Sequence, residues 1–290
     1  MREEGKLEGK LEGKWIAWLR GAGDLQEGEA EYLPVRGRNG FLQHGGNQNW
    51  WMEGHKAQAP REEGGPSKYQ ECRRDERYRL ANCGCGVIAM INLEMYLERQ
   101  KERSLKASDE EQTTKLDSYI TREQYEKIAF ERWQKCYYID KSYLNYVAGL
   151  YPWKMERGLK EFLREREFDR KKVKWAPYLL HSNEKQSELV LETIQEMLLH
   201  DYPVIFSYHT YDPKKDKMTL YSSLEKAAAG GPASGTDETI NSHYMTILGV
   251  WRCEDGEILL RVESWGRIYY VRYDVFAKKL GFASNILRIW

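Results

Sequence analysis

The sequence predicts an α+β fold of two lobes, a helical one over about residues 78–200 and a sheet lobe over about 201–290. Between residues 86 and 203 apolar side chains recur at helical spacing, with few breaks. Beyond residue 203 the chain changes to short runs rich in Val, Ile, Tyr and Phe, separated by turn residues. Helices followed by a run of strands pack as an α+β arrangement. An apolar fraction of 41% with 13% aromatic residues in a 290-residue chain supplies a substantial core.

The elements follow in order. Residues 1–40 are glycine-rich and charged, and GKLEGKLEGK at 5–14 places a glycine in every four residues. Each glycine costs a helix about 1 kcal/mol relative to alanine, so residues 1–40 are expected to be a flexible segment ahead of a folded domain at 41–290. HGGNQNWW continues as loop, and regular structure is expected to begin near Tyr78. GVIAMINLEMYLE, at 86–98, is apolar on nearly all sides and free of proline, which reads as a buried helix. Thr121, with a glutamate two residues on, is an N-cap signal. Met155, Leu159 and Leu163 share one helix face, and SELVLETIQEMLLHDYP is a further amphipathic helix closed by proline. PVIFSYHTY, SHYMTILGVWR, EILLRVESWG and RIYYVRYDVF read as four strands, the second and third flanking a turn at Glu254, Asp255 and Gly256. The polar segment 212–242 is expected to be a mobile loop that gates His243.

Forty-five basic residues balance 45 acidic ones, so no net field draws the chain to nucleic acid or to an anionic membrane. No apolar run reaches the ~18 residues of a membrane span, and the N-terminus lacks the order of a signal peptide. Five cysteines, an odd number, fit a reducing compartment better than a disulfide framework. A soluble cytoplasmic protein is expected, and the sequence does not set its oligomeric state.

LANCGCGVIAM, residues 80–90, raises the question of chemistry. One residue between Cys83 and Cys85 is too few for a zinc knuckle, and Cys72, Cys136 and Cys253 stand singly, so neither a metal nor a cofactor is expected. A disulfide between Cys83 and Cys85 would close a strained ring. The remaining readings are two small buried hydrophobes or a nucleophile. Cys85 opens the buried helix, where the dipole and unpaired N–H groups favour a thiolate and can meet an oxyanion. His243 opens a strand and Glu263 ends the next one, offering a base and a group to orient it.

With CGVIAMIN at 85–92, His243 before an apolar strand ending in glycine, and ESWG at 263–266, the sequence resembles the papain-like cysteine peptidase superfamily, in particular bacterial members akin to the bacteriocin-processing double-glycine peptidases. The three motifs cover about 30 residues and match in order and setting. The resemblance implies a papain-like two-lobed fold, Cys85 as nucleophile, His243 as general base and acid, Glu263 as the group fixing the imidazole, and Trp265 shielding the bond between those two. Glutamate replaces the usual asparagine or aspartate. Cys83 is the alternative nucleophile, although Gly86, Ala89 and Asn92 fit the pattern when it is counted from Cys85. For the oxyanion site the candidates are Gln48 and Gln70, with Gln48 preferred for its constrained neighbourhood.

Strand alternation constrains this reading, because His243 and Glu263 must share a face. A two-residue turn at Asp255 and Gly256 would put them on opposite faces; a three-residue loop at 254–256, with Gly256 left-handed, puts them on one, and a bulge or strong twist must then close the remaining offset. The expected activity is cleavage of an amide bond in a peptide or protein substrate through a thioester acyl-enzyme. The alternatives are acyl transfer of the transglutaminase kind and an inactive peptide-binding module.

Overall fold

A computed structural model of the chain describes residues 12–19, 32–38, 41–52, 76–106, 119–139, 149–168, 172–175, 184–210, 216–280 and 284–290. In chain order the elements are β1 (Gly13–Trp18), β2 (Pro34–Arg36), β3 (Leu42–His44), a 3-10 turn (Gln48–Met52), α1 (Glu76–Cys83), α2 (Cys85–Lys106), β4 (Ile120–Thr121), α3 (Arg122–Lys135), α4 (Pro152–Glu165), β5 (Val173–Trp175) and α5 (Glu184–Leu199). There follow β6 (Val204–His209), β7 (Met218–Leu220), α6 (Leu224–Ala229), β8 (Glu238–Ile240), β9 (Ser242–Cys253), β10 (Ile258–Ser264), β11 (Arg267–Arg272), α7 (Tyr273–Ala277) and β12 (Leu287–Ile289). The fold is α+β, with helices packed on an antiparallel sheet.

The helices form where their periodicity places them. In α2 every residue from Gly86 to Leu97 is buried, so the helix runs through the middle of the core. Each of its fully buried Val, Ile and Leu side chains contributes about 1.5–3 kcal/mol through the hydrophobic effect. Thr121 caps α3 as expected, but its partner is Gln124: Thr121 Oγ1 accepts from Gln124 N–H at 3.3 Å, and Gln124 Oε1 accepts from Thr121 N–H at 2.9 Å. This is a reciprocal capping box. Met155, Leu159 and Leu163 are buried on α4, and Val190, Ile194 and Met197 on α5.

The main sheet runs β1-β9-β10-β11, and β6 pairs with the first half of β9. β9 is 12 residues long, so β6 takes residues 242–247 while β1 takes 249–253 of the same edge. β1 corrects the flexible reading of residues 1–40. Gly13 pairs with Cys253, Trp15 meets Trp251 edge-on at 5.3 Å, and Ala17 and Leu19 are fully buried. The interrupted alternation of GKWIAW hid this strand, whose stability comes from a distant partner. Residues 1–11 and 20–31 of that segment lie outside the described residues.

Two other expectations change. YDVF at 273–276, expected to end a strand, belongs instead to the short helix α7, with Tyr273 and Phe276 buried at helical spacing. The segment taken for a mobile gate folds over residues 216–241 as β7, α6 and β8. Asp237 clasps it, accepting from Ser222 N–H and Oγ at 2.8 Å each and from Ser234 N–H at 3.0 Å. Tyr221 adds two backbone bonds with Tyr270.

One continuous apolar core runs from Ala17 to Ile289, drawing on both halves of the chain. Among the described residues no helix is long and apolar enough to cross a membrane.

Candidate functional site

Cys85 is the first residue of α2, and Ile88 N–H closes the first turn on the Gly84 carbonyl at 2.9 Å. The turn between α1 and α2 separates the two cysteines. Cys83 lies in the apolar core at 2% exposure, whereas Cys85 is half-buried and lines a narrow slot. Neither is in a disulfide, nor are Cys136 and Cys253.

The slot is lined by Gln48, Cys85, Ile88, Ala89, His243, Tyr244, Met245, Glu263, Ser264 and Trp265, and its volume is about 10 Å³. That is room for about one water molecule. Residues from four separate segments of sequence meet there, including Gln48, Cys85, His243, Glu263 and Trp265. Gln70 and Cys72 lie outside the described residues.

The β9–β10 hairpin explains which side chain reaches His243. Cys253 N–H donates to the Glu257 carbonyl at 2.9 Å, leaving the three-residue loop 254–256, and Gly256 has a φ of +90°. Pairing proceeds regularly to Arg261 opposite Gly249 and then skips Leu248, so Val262 faces Ile247 and Glu263 faces Thr246. A one-residue bulge reverses which face each later side chain takes. Glu263 therefore shares the face of Thr246, and Ser264 shares that of Met245 and His243.

The hydrogen bonds follow this parity. His243 Nε2 lies 2.7 Å from Ser264 Oγ, while Glu263 Oε2 accepts from Asn92 Nδ2 at 2.8 Å and Glu263 Oε1 from Gly266 N–H at 3.3 Å. The expected bond between His243 and Glu263 is thus replaced by one between His243 and Ser264. The bulge is the reason. Trp265 covers the imidazole itself, with ring centroids 4.5 Å apart.

Trp265 and Gly266 both have positive φ, +50° and +73°, in the two-residue turn that joins Ser264 to its partner Arg267. A bulky residue at positive φ is strained unless its surroundings hold it. Here Asn47 Nδ2 donates to the Trp265 carbonyl at 2.8 Å, and His44 N–H donates to the Gly266 carbonyl at 3.0 Å.

The same loop presents Gln48. Asn47 Oδ1 accepts from Asn49 N–H at 2.9 Å, an Asx turn that starts the 3-10 turn. Trp50 packs edge-on against Tyr125 at 5.6 Å, and Arg122 donates to the Trp50 carbonyl at 3.1 Å. Gly46 N–H donates to Asn92 Oδ1 at 3.0 Å, and Tyr125 donates to the same oxygen at 2.7 Å. A Cβ on Gly46 would stand 2.1 Å from Tyr125 Cζ, so only glycine lets the loop come this close.

Nothing in the sequence marks Ser264, Asn92 or Tyr125 for the contacts they make here. Ser264 stood inside ESWG, and Asn92 was only a position in a pattern. Locating the bulge would have exposed Ser264, but no residue type marks it.

Burial pushes the Glu263 carboxyl up to about 8 from its ordinary 4.5, against the hydrogen bonds from Asn92 and Gly266 that pull it down. Burial also takes the His243 imidazole from 6.5 down to about 3. At neutral pH both groups are therefore predominantly uncharged. The raised carboxyl contributes stability that is complete below pH 4.5 and lost as pH rises through 8. The depressed imidazole contributes stability that is complete above pH 6.5 and lost as pH falls through 3. The two slopes oppose each other between 4.5 and 6.5, and from 6.5 to 8 the Glu263 slope stands without that opposition. Thermal unfolding midpoints measured at both ends of that upper window are expected to fall more in the parent protein than in Glu263→Gln. Identical pH dependence in the two would rule Glu263 out as the source.

Among the described residues no group of three or more His, Cys, Asp or Glu side chains is placed to share a metal ion. Compared with protein-family models, curated proteins and solved structures, the chain matches none.

Proposed function

We propose that the chain is a papain-like cysteine hydrolase that cleaves an amide bond in a peptide or protein substrate through a thioester. The observation that carries this reading is the meeting of Gln48, Cys85 and His243 in one slot, with Cys85 at the head of a buried helix. The helix that carries the thiol packs against the strand that carries the imidazole, which supports this reading.

The chemistry starts from a neutral imidazole. In this scheme Ser264 Oγ accepts from Nε2–H, which leaves the lone pair on Nδ1 as the basic nitrogen. His243 removes the Cys85 proton, and sulfur attacks the carbonyl carbon. The oxyanion that forms takes hydrogen bonds from the Gln48 amide and from N–H groups at the start of α2. His243 then protonates the leaving amine, which departs as the thioester forms. Water, deprotonated by His243, attacks the thioester, releasing the acid and the thiol. In this scheme Ser264 stands where the resemblance put Glu263, and Trp265 keeps water off the imidazole.

Alkylation tests the reading. Iodoacetamide at neutral pH, followed by peptide mass mapping, is expected to modify Cys85 faster than free cysteine and to leave buried Cys83 unlabelled. A denatured-proteome peptide library should then acquire new termini. Labelling of Cys85 no faster than free cysteine, with no cleavage, would leave a peptide-binding module. Incorporation of an added amine in preference to hydrolysis would make the chain an acyltransferase.

A further inference from the structure

Glu263, displaced from the histidine by the bulge, has its own task in the site, and the following inference rests on the hydrolase reading above. We propose that Asn92 and Glu263 form a buried clamp that sets where Gln48 stands relative to Cys85 and His243. Both are then positioning residues for the oxyanion site.

The chain of bonds has two ends, and each end falls on the backbone of a segment that carries a site residue. At one end Gly46 N–H, two residues before Gln48, donates to Asn92 Oδ1. At the other Gly266 N–H, two residues after Ser264, donates to Glu263 Oε1. The 2.8 Å bond from Asn92 Nδ2 to Glu263 Oε2 joins the halves inside the core, where Asn92 is fully buried and Glu263 is 2% exposed.

A second, parallel set of bonds, from His44 N–H to the Gly266 carbonyl and from Asn47 Nδ2 to the Trp265 carbonyl, lashes the same two segments together nearer the surface. The loop that bears Gln48 is therefore referenced to the turn beside His243 as well as to the helix that bears Cys85. An apolar pair of the same size would fill the space but leave both backbone donors without acceptors. Oxyanion donors need placement to roughly half an ångström, and buried amide and carboxyl groups fix positions that closely.

The arrangement allows an exchange test. In Asn92→Asp the amide donor to Glu263 is gone, and above pH 8, where Glu263 is ionised and the variants are compared, two carboxylates face each other. In Glu263→Gln one side-chain oxygen has to serve both Asn92 Nδ2 and Gly266 N–H. The paired variant N92D/E263Q moves the amide to position 263 and the carboxyl to position 92, so every donor again finds an acceptor.

Each single variant is expected to lower kcat by roughly 10- to 100-fold, the effect of displacing a catalytic donor by about an ångström. KM should stay within about threefold, and Cys85 should be alkylated at the parent rate, since thiol and imidazole are untouched. The paired variant is expected to regain most of the lost kcat. In a Gln48→Ala background, Asn92→Asp should cause little further loss, because the amide it positions is already gone.

Unfolding midpoints recorded on all variants separate misfolding from misplacement. A folded paired variant that stays as slow as the singles overturns the clamp, and so does full additivity of Asn92→Asp with Gln48→Ala. Should Asn92→Asp fail to fold, Glu263→Gln and the pair decide the matter. A parent protein without Cys85-dependent turnover sinks the hydrolase reading and the clamp's role with it, whereas an active parent with no rescue sinks the clamp alone.

Discussion

Cys85→Ala is expected to abolish turnover, with kcat falling by on the order of 10⁴- to 10⁶-fold, as when the nucleophile of a catalytic unit is removed. The expectation follows from placement. Cys85 is half-buried, heads α2 and lines the slot with His243, whereas Cys83 ends α1 inside the apolar core. Cys83→Ala should therefore keep kcat near the parent value and lose stability instead, on the order of 1 kcal/mol for a trimmed core side chain. Initial rates and urea unfolding of both variants separate the two cysteines. An active Cys85→Ala protein beside an inactive Cys83→Ala one would exchange their roles, and full activity in both would end the thiol mechanism.

Glu94→Ala is expected to be among the most destabilising single changes, costing about 3–5 kcal/mol, the usual loss when one partner of a buried ion pair is removed. Glu94 is 3% exposed on α2. It accepts from Arg132 Nε at 2.7 Å and Nη2 at 2.6 Å, and Tyr137 OH donates to the same carboxylate. The alanine variant leaves a largely buried guanidinium and a buried hydroxyl facing a void. Urea denaturation measures the loss, and a change below about 1 kcal/mol would mean that water or a neighbour satisfies Arg132. Because α2 also carries Cys85 and Asn92, this tether between α2 and α3 holds the helix on which the site is built.

Local pattern made part of the molecule legible. The buried helix of CGVIAMINLEMYLE and the amphipathic faces of α4 and α5 follow from spacing within a few residues, whereas the residues at 254–256 allow a two-residue turn as well as the three-residue loop that forms, with Gly256 left-handed. Features that depend on distant partners did not show. β1 gains its stability from Cys253 and its neighbours, and GKLEGKLEGK offered glycines where a strand signal was needed. The bulge at Leu248 has no compositional mark, yet it decides that Ser264 and not Glu263 meets His243. Asn92 read as one polar position in an apolar helix, and its value emerges once Gly46, Tyr125 and Glu263 converge on it.

The sharing of one edge of β9 between β6 and β1 has a consequence for assembly. Residue 13 pairs with residue 253, so the strand near the start of the described chain waits for one near its end. Contacts of such long range are slow to form, because the loop they close is large. During synthesis the helix bearing Cys85 emerges well before the strand bearing His243, and the hairpin bearing Ser264 comes later still. Thiol and imidazole thus stay apart until the strands around residues 243–264 have been made and paired, and the proposed chemistry waits for that sheet to close.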